Sequence, residues 1–74
     1  MIINELPHIQ NVDQIHIYHK NKLIKKIDVD NLDIASYQIE KQLTPYYFYR
    51  DIDYMSVTIE GALATIIVLE IILK

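Results

Sequence analysis

The stretch Thr65-Ile66-Ile67-Val68-Leu69-Glu70-Ile71-Ile72-Leu73 decides the fold. It carries one charge, Glu70, and is far shorter than the roughly 20 apolar residues a membrane-crossing helix needs. Its β-branched start, Thr65-Ile66-Ile67-Val68, favours a strand, with a buried helix as the alternative for so short an apolar run. Side chains alternate across a strand. Thr65, Ile67, Leu69, Ile71 and Leu73 then share one face, and Ala64, Ile66, Val68 and Ile72 share the other with Glu70. Both faces are apolar, so both need cover.

Moving upstream, Gly61 permits a turn, and Ala62 to Leu73 forms the last element. Tyr46 to Glu60 reads as a strand or a bent pair of strands. Met55, Val57 and Ile59 alternate there with Ser56, Thr58 and Glu60, while Phe48, Ile52 and Tyr54 fall in the opposite phase. A bulge near Arg50-Asp51 would reconcile the two halves. Asp30 to Leu43 reads as a helix, with Asp30 as cap and Asp33 in the first turn, where the dipole favours an acid. Leu32, Ala35, Ser36, Ile39 and Leu43 form its apolar stripe, and Pro45 stops it. Ile15 to Val29 reads as a hairpin turning at Lys20-Asn21-Lys22, because asparagine tolerates positive φ. Ile15 should face Ile27, and His19 should face Leu23. Met1 to Gln14, interrupted by Pro7, reads as an extended arm with a short strand at Ile2 to Leu6.

These elements form one domain, residues 1–74, of α+β class. The expected architecture is ββαββ: two hairpins joined by a helix, in an antiparallel sheet with that helix on one face. A chain of 74 residues buries a modest share of its surface and is marginal alone. Small domains are usually reinforced by disulfides, metals or partners. Cysteine is absent, which excludes the first and removes thiolate metal sites. One helix covers one face of the last strand, so a second copy of the chain is the simplest cover for the other. Tyr46, Tyr47, Tyr49, Arg50, Ile67, Leu69, Ile71 and Leu73 are the expected interface residues of this homodimer. The alternative is an arm, Met1 to Gln14, that wraps the second face within one chain.

Composition narrows function by exclusion. The chain is 51% apolar, with 15 isoleucines, which rules out a disordered segment. A net charge of −3 leaves no overall basic footprint for nucleic acid. Lys20, Lys22, Lys25 and Lys26 nonetheless gather on the hairpin and are the candidate phosphate contacts. The plainer reading is a charged edge that discourages aggregation. His16 and His19 are three apart and point to opposite faces of a strand, and His8 lies beyond local reach, so no metal site or cofactor is expected. Asp51 and Asp53 lack a third ligand and read as a polar bend. Ser36 and Ser56 lack a nucleophile-elbow context, and the single glycine rules out a P-loop and a dinucleotide fingerprint. No enzymatic activity is expected.

No secretory signal is visible in Met1 to Gln14, so cytoplasmic residence without membrane attachment is expected. The abundant isoleucine, lysine, asparagine and tyrosine have AT-rich codons, which suits a phage or mobile-element origin. The leading functional expectation is a non-enzymatic, homodimeric protein-binding module, such as one that binds and inhibits a host factor. The alternatives are a nucleic-acid-associated regulator using the basic hairpin and a structural subunit of a larger assembly.

Overall fold

Alternating isoleucines build the first strand pair. In the computed structural model, which describes residues 1–6, 8–29, 36–63 and 65–74, β1 (Gln14–His19) and β2 (Lys22–Asp28) form an antiparallel hairpin. Ile15 faces Ile27 as expected. The two turn residues, Lys20 and Asn21, have φ of 52° and 64°. That left-handed pair matches the twist of the flanking strands, as primed hairpin turns do. The register then shifts: Ile17 faces Lys25 but Tyr18 faces Leu23, which leaves Ile24 as a bulge. His19 therefore pairs with Lys22, not with Leu23.

The second hairpin joins β3 (Ile52–Glu60) to β4 (Ile66–Leu73) across Gly61, whose φ of 99° needs a residue without Cβ. A register shift between Ile52 and Tyr54 places the bulge at Asp53, slightly later than Arg50-Asp51. The bulge performs the phase change the sequence demands. Ile52 faces Leu73 and Met55 faces Ile71, so both lie on one side of the sheet, while Tyr54 turns to the other.

The sheet order is β2-β1-β4-β3. The two hairpins meet through β1 and β4, which run parallel, from Gln14 opposite Val68 to His19 opposite Leu73. The sheet is therefore mixed, not antiparallel throughout. Asp13 fastens this junction. Its main-chain N–H donates to Ile67 O at 2.7 Å, its carboxylate accepts from Ile67 N at 2.8 Å, and its carbonyl accepts from Val29 N at 2.9 Å.

Two α-helices occur among the described residues. Of the helix expected over Asp30 to Leu43, residues 30–35 lie outside the described residues, and α1 covers Ser36–Glu40. The strand expected from Tyr46 begins only at Ile52, because α2 (Pro45–Phe48) intervenes. Pro45 sets this up. It keeps Thr44 extended, at φ −65° and ψ 153°, and then occupies the first turn of α2, where its missing N–H is harmless. In the arm, a 3-10 turn at Ile3–Glu5 takes the place of the expected strand, and the Ile2 N–H donates to the Glu5 carboxylate at 2.9 Å.

The core lies on one face of the sheet. Ile15, Ile17, Ile27, Ile52, Ile71 and Leu73 meet Ile3 and Val12 of the arm and Ile39, Leu43 and Phe48 of the helical segment. Each such side chain contributes on the order of 1.5–3 kcal/mol by leaving water. β4 is thus a central strand with both edges paired, and Ile67, Leu69, Ile71 and Leu73 point to the covered face. Ile71 and Leu73 are core residues of a single copy. Their burial calls for no second chain, while Ile67 and Leu69 of the same strand are partly buried against the core.

The opposite face carries no layer among the described residues, yet it is not bare hydrocarbon. Gln14, His16 and Tyr18 of β1, Ser56 and Thr58 of β3, and Glu70 of β4 alternate onto it. Gln14 donates to the Asp28 carboxylate at 3.1 Å and bonds His16 Nε2 at 2.9 Å. Val68, on the central strand, is 0% exposed on this face and His16 beside it 2% exposed. A face of this kind tolerates water.

Candidate functional site: an open sheet edge beside an apolar groove

The two edges of the sheet differ in chemistry. β2 carries Lys22, Lys25 and Lys26 and is distorted by the Ile24 bulge, two devices that keep other strands from adding. β3 is nine residues long and holds no charge from Tyr54 through Ile59. Its first residues are capped by the arm: Ile2 bridges Asp51, and Ile52 N donates to Met1 O at 2.7 Å. Beyond Asp53, β4 is the one described strand that pairs with β3, which leaves β3 outermost in the sheet.

Apolar side chains concentrate at this edge. Val57 is 62% exposed and Ile59 70% exposed, on the face the core uses. Between arm and strand lies a groove of about 230 Å³ lined by Leu6, Ile9, Gln10, Val12, Met55, Val57 and Leu69. On the opposite face Tyr54 is 57% exposed. Thr58 Oγ1 is shielded from solvent and has no hydrogen-bond partner among the described residues.

The aromatic residues expected at an interface gather elsewhere, at the end of the sheet where β1 and β4 finish. As part of α2 they follow helical rather than alternating geometry. Phe48 is buried, Tyr47 half-buried, and Tyr46 and Tyr49 exposed. Tyr49 donates to the Glu40 carboxylate at 3.2 Å, tying α2 to α1, and this acceptor raises the phenol pKa above its ordinary value. Arg50 donates from Nε to Lys74 O at 2.8 Å and lies 5.1 Å from the Tyr46 ring centre. His19 packs edge-on against Tyr46 and Tyr47, at 6.0 and 5.4 Å between ring centres. It is 7% exposed, and its Nε2 has no hydrogen-bond partner among the described residues. Burial first, then the charges of Arg50 and Lys20, hold its pKa below the ordinary histidine value against a contact with the Lys74 main chain. His19 and Phe48 are enclosed by these contacts, while Tyr46 and Tyr49 keep more than half of their surface open.

The four hairpin lysines do not share a face. Lys25 pairs with Ile17 on the core side, Lys26 pairs with His16 on the open side, Lys22 pairs with His19 at the end of the hairpin, and Lys20 sits in the turn. Asp51 lies 3.7 Å from the amino group of Met1, and Asp53 is exposed at the bulge. No group of three potential metal ligands occurs among the described residues, and none of their helices is long and apolar enough to cross a membrane. Comparison with family models, curated proteins and solved structures finds no match for this chain.

Sequence reasoning placed Met55, Val57 and Ile59 on one face of a strand but did not name them as site residues. Their significance depends on β3 being outermost, a matter of strand order. The signal available was negative: the lysines that guard β2 have no counterpart between Tyr54 and Ile59.

Proposed function

We propose that the chain is a non-enzymatic protein-binding module that acts as a homodimer. The observation that carries this reading is the uncharged outer edge of β3 beside its apolar groove. Unpaired main-chain groups there supply affinity to an added strand, and pockets beside them supply selectivity. The carboxyl groups described above are engaged in structural contacts or spread over the surface, and the shielded Thr58 hydroxyl has no acid or base beside it among the contacts described, which favours binding over catalysis. Aromatic Tyr46 and Tyr49, exposed at the far end of the sheet, offer a second patch suited to a heterologous protein. The nucleic-acid alternative would have to draw its phosphate contacts from lysines divided between two faces.

Sedimentation equilibrium over a wide range of protein concentration tests the proposal. The expected result is twice the single-chain mass at the upper end, with dissociation on dilution. A single-chain mass throughout would remove the reading.

A further inference from the structure

The structure assigns the occupant of the β3 edge: a second copy of this chain, paired antiparallel through β3 with Val57 on the two-fold axis. The pairing rests on the protein-binding function proposed above and specifies its geometry. A two-fold contact is self-complementary, so each residue of β3 must suit the residue that symmetry sets opposite it. Centring on Val57 does this along the whole open edge. Val57 meets its own copy. Met55 meets Ile59, Ser56 meets Thr58, and Tyr54 meets Glu60, each pair occurring twice.

Both faces agree with that register. Met55, Val57 and Ile59 lie on the core side, where Met55 and Val57 line the groove. Ile59 of the second copy would stand over Met55 and narrow the groove mouth, and the two grooves would adjoin across the axis. Six apolar side chains then cover one another, which addresses the two most exposed large hydrophobic residues of the strand. On the other face, Ser56 opposite Thr58 sets two hydroxyls together, and a χ1 rotation gives Thr58 Oγ1 the partner it lacks. Tyr54 opposite Glu60 sets a phenol donor against a carboxylate. No two acids face each other.

Neighbouring registers fail this test. Centring on Ser56 sets Met55 against Val57 and Tyr54 against Thr58, but leaves Ile59 and Glu60 of each copy opposite the closed start of the other strand at the Asp53 bulge, so the most exposed apolar side chain of β3 gains no partner. Centring on Thr58 sets Met55 against Gly61 and Ser56 against Glu60, losing an apolar pair and the Tyr54 partner of Glu60. The bulge at Asp53 and the arm bridge at Asp51 close the strand at its start. Open pairing therefore begins at Tyr54, the first residue the Val57-centred register uses. The product is one continuous eight-stranded sheet whose outer edges are the two lysine-guarded β2 strands.

Disulfide trapping reads the register directly, because the chain has no cysteine of its own. Directly opposed strand residues have Cα atoms about 4.5–5.5 Å apart, within reach of a disulfide. Single variants Val57→Cys, Ser56→Cys, Thr58→Cys and Lys26→Cys are oxidised mildly in the full chain, alongside a mass measurement of the unsubstituted protein. The expected result is near-complete covalent dimer for V57C, none for S56C, T58C or K26C alone, and a mixed dimer when S56C and T58C are combined. A dimeric mass with trapping at S56C, T58C or K26C instead of V57C overturns the inference and leaves the protein-binding reading standing. A single-chain mass overturns both. Val57 is mostly exposed, so its replacement leaves the fold intact.

Discussion

His19 shows how one side chain couples the end of the sheet to pH. Its imidazole is enclosed by Tyr46 and Tyr47 and faces the charges of Arg50 and Lys20, so the folded chain disfavours its protonation. Below the ordinary histidine pKa of about 6.5 the unfolded chain binds the proton that the folded chain refuses. Stability is therefore full above that pH and falls as the pH drops through it. His19→Phe, which keeps an aromatic ring against the tyrosines, should flatten this part of the profile in denaturant titrations at stepped pH. An unchanged slope would refute the account of His19. The turn residue Lys20 makes a second case, since its φ of 52° is unfavourable for a side chain of that kind. Replacing Lys20-Asn21 by Asn-Gly should raise stability by about 0.5–1 kcal/mol in the same titrations. Asp13 makes a third. Asp13→Ala removes the carboxylate that holds Ile67 N–H at the parallel junction and should lower stability by about 1–3 kcal/mol.

At the level of elements, local chemistry and topology divide what was legible. The first hairpin was readable because Ile15, Ile17 and Ile27 alternate and Asn21 accepts positive φ; only its last pairs differ, shifted by the Ile24 bulge. The phase change in β3 was readable for the same reason, with its bulge at Asp53 rather than at Arg50-Asp51. Helix α2 was missed because Tyr46-Tyr47-Phe48-Tyr49 has strand propensity, whereas Thr44-Pro45 is a helix-start signal that outweighs it here. The parallel contact of β1 with β4 had no local signature, since nothing along either strand records which hairpin strand will face it. That missing fact placed the expected interface on β4, whose edges are both paired within one copy. Core energetics follow the observed arrangement. Ile71→Ala, at the centre of the covered face, should cost about 2–5 kcal/mol, while Val57→Ala should change the stability of the isolated chain by less than about 0.5 kcal/mol. Chemical denaturation of both variants, with the Val57 comparison made in dilute solution, checks the contrast.

For the whole molecule, the decisive feature is an asymmetry between two edges of one sheet. The arm, α1 and α2 fill one face, polar side chains dress the other, and lysines with a bulge protect β2. Among the described residues, β3 carries exposed Tyr54, Val57 and Ile59, and Val57 lines the groove. A charge introduced there should act on association and not on folding. Val57→Lys should sediment as a single chain while keeping its far-ultraviolet circular dichroism, because desolvating an unpaired ammonium opposes the contact. The most direct measurement is amide hydrogen exchange, residue by residue, at high and low protein concentration. The account predicts that the outward amides of Tyr54 to Glu60 exchange slowly at high concentration and rapidly on dilution, while the outward amides of β2 exchange rapidly at both. Outward amides of β3 that exchange as fast as those of β2 at every concentration would contradict it.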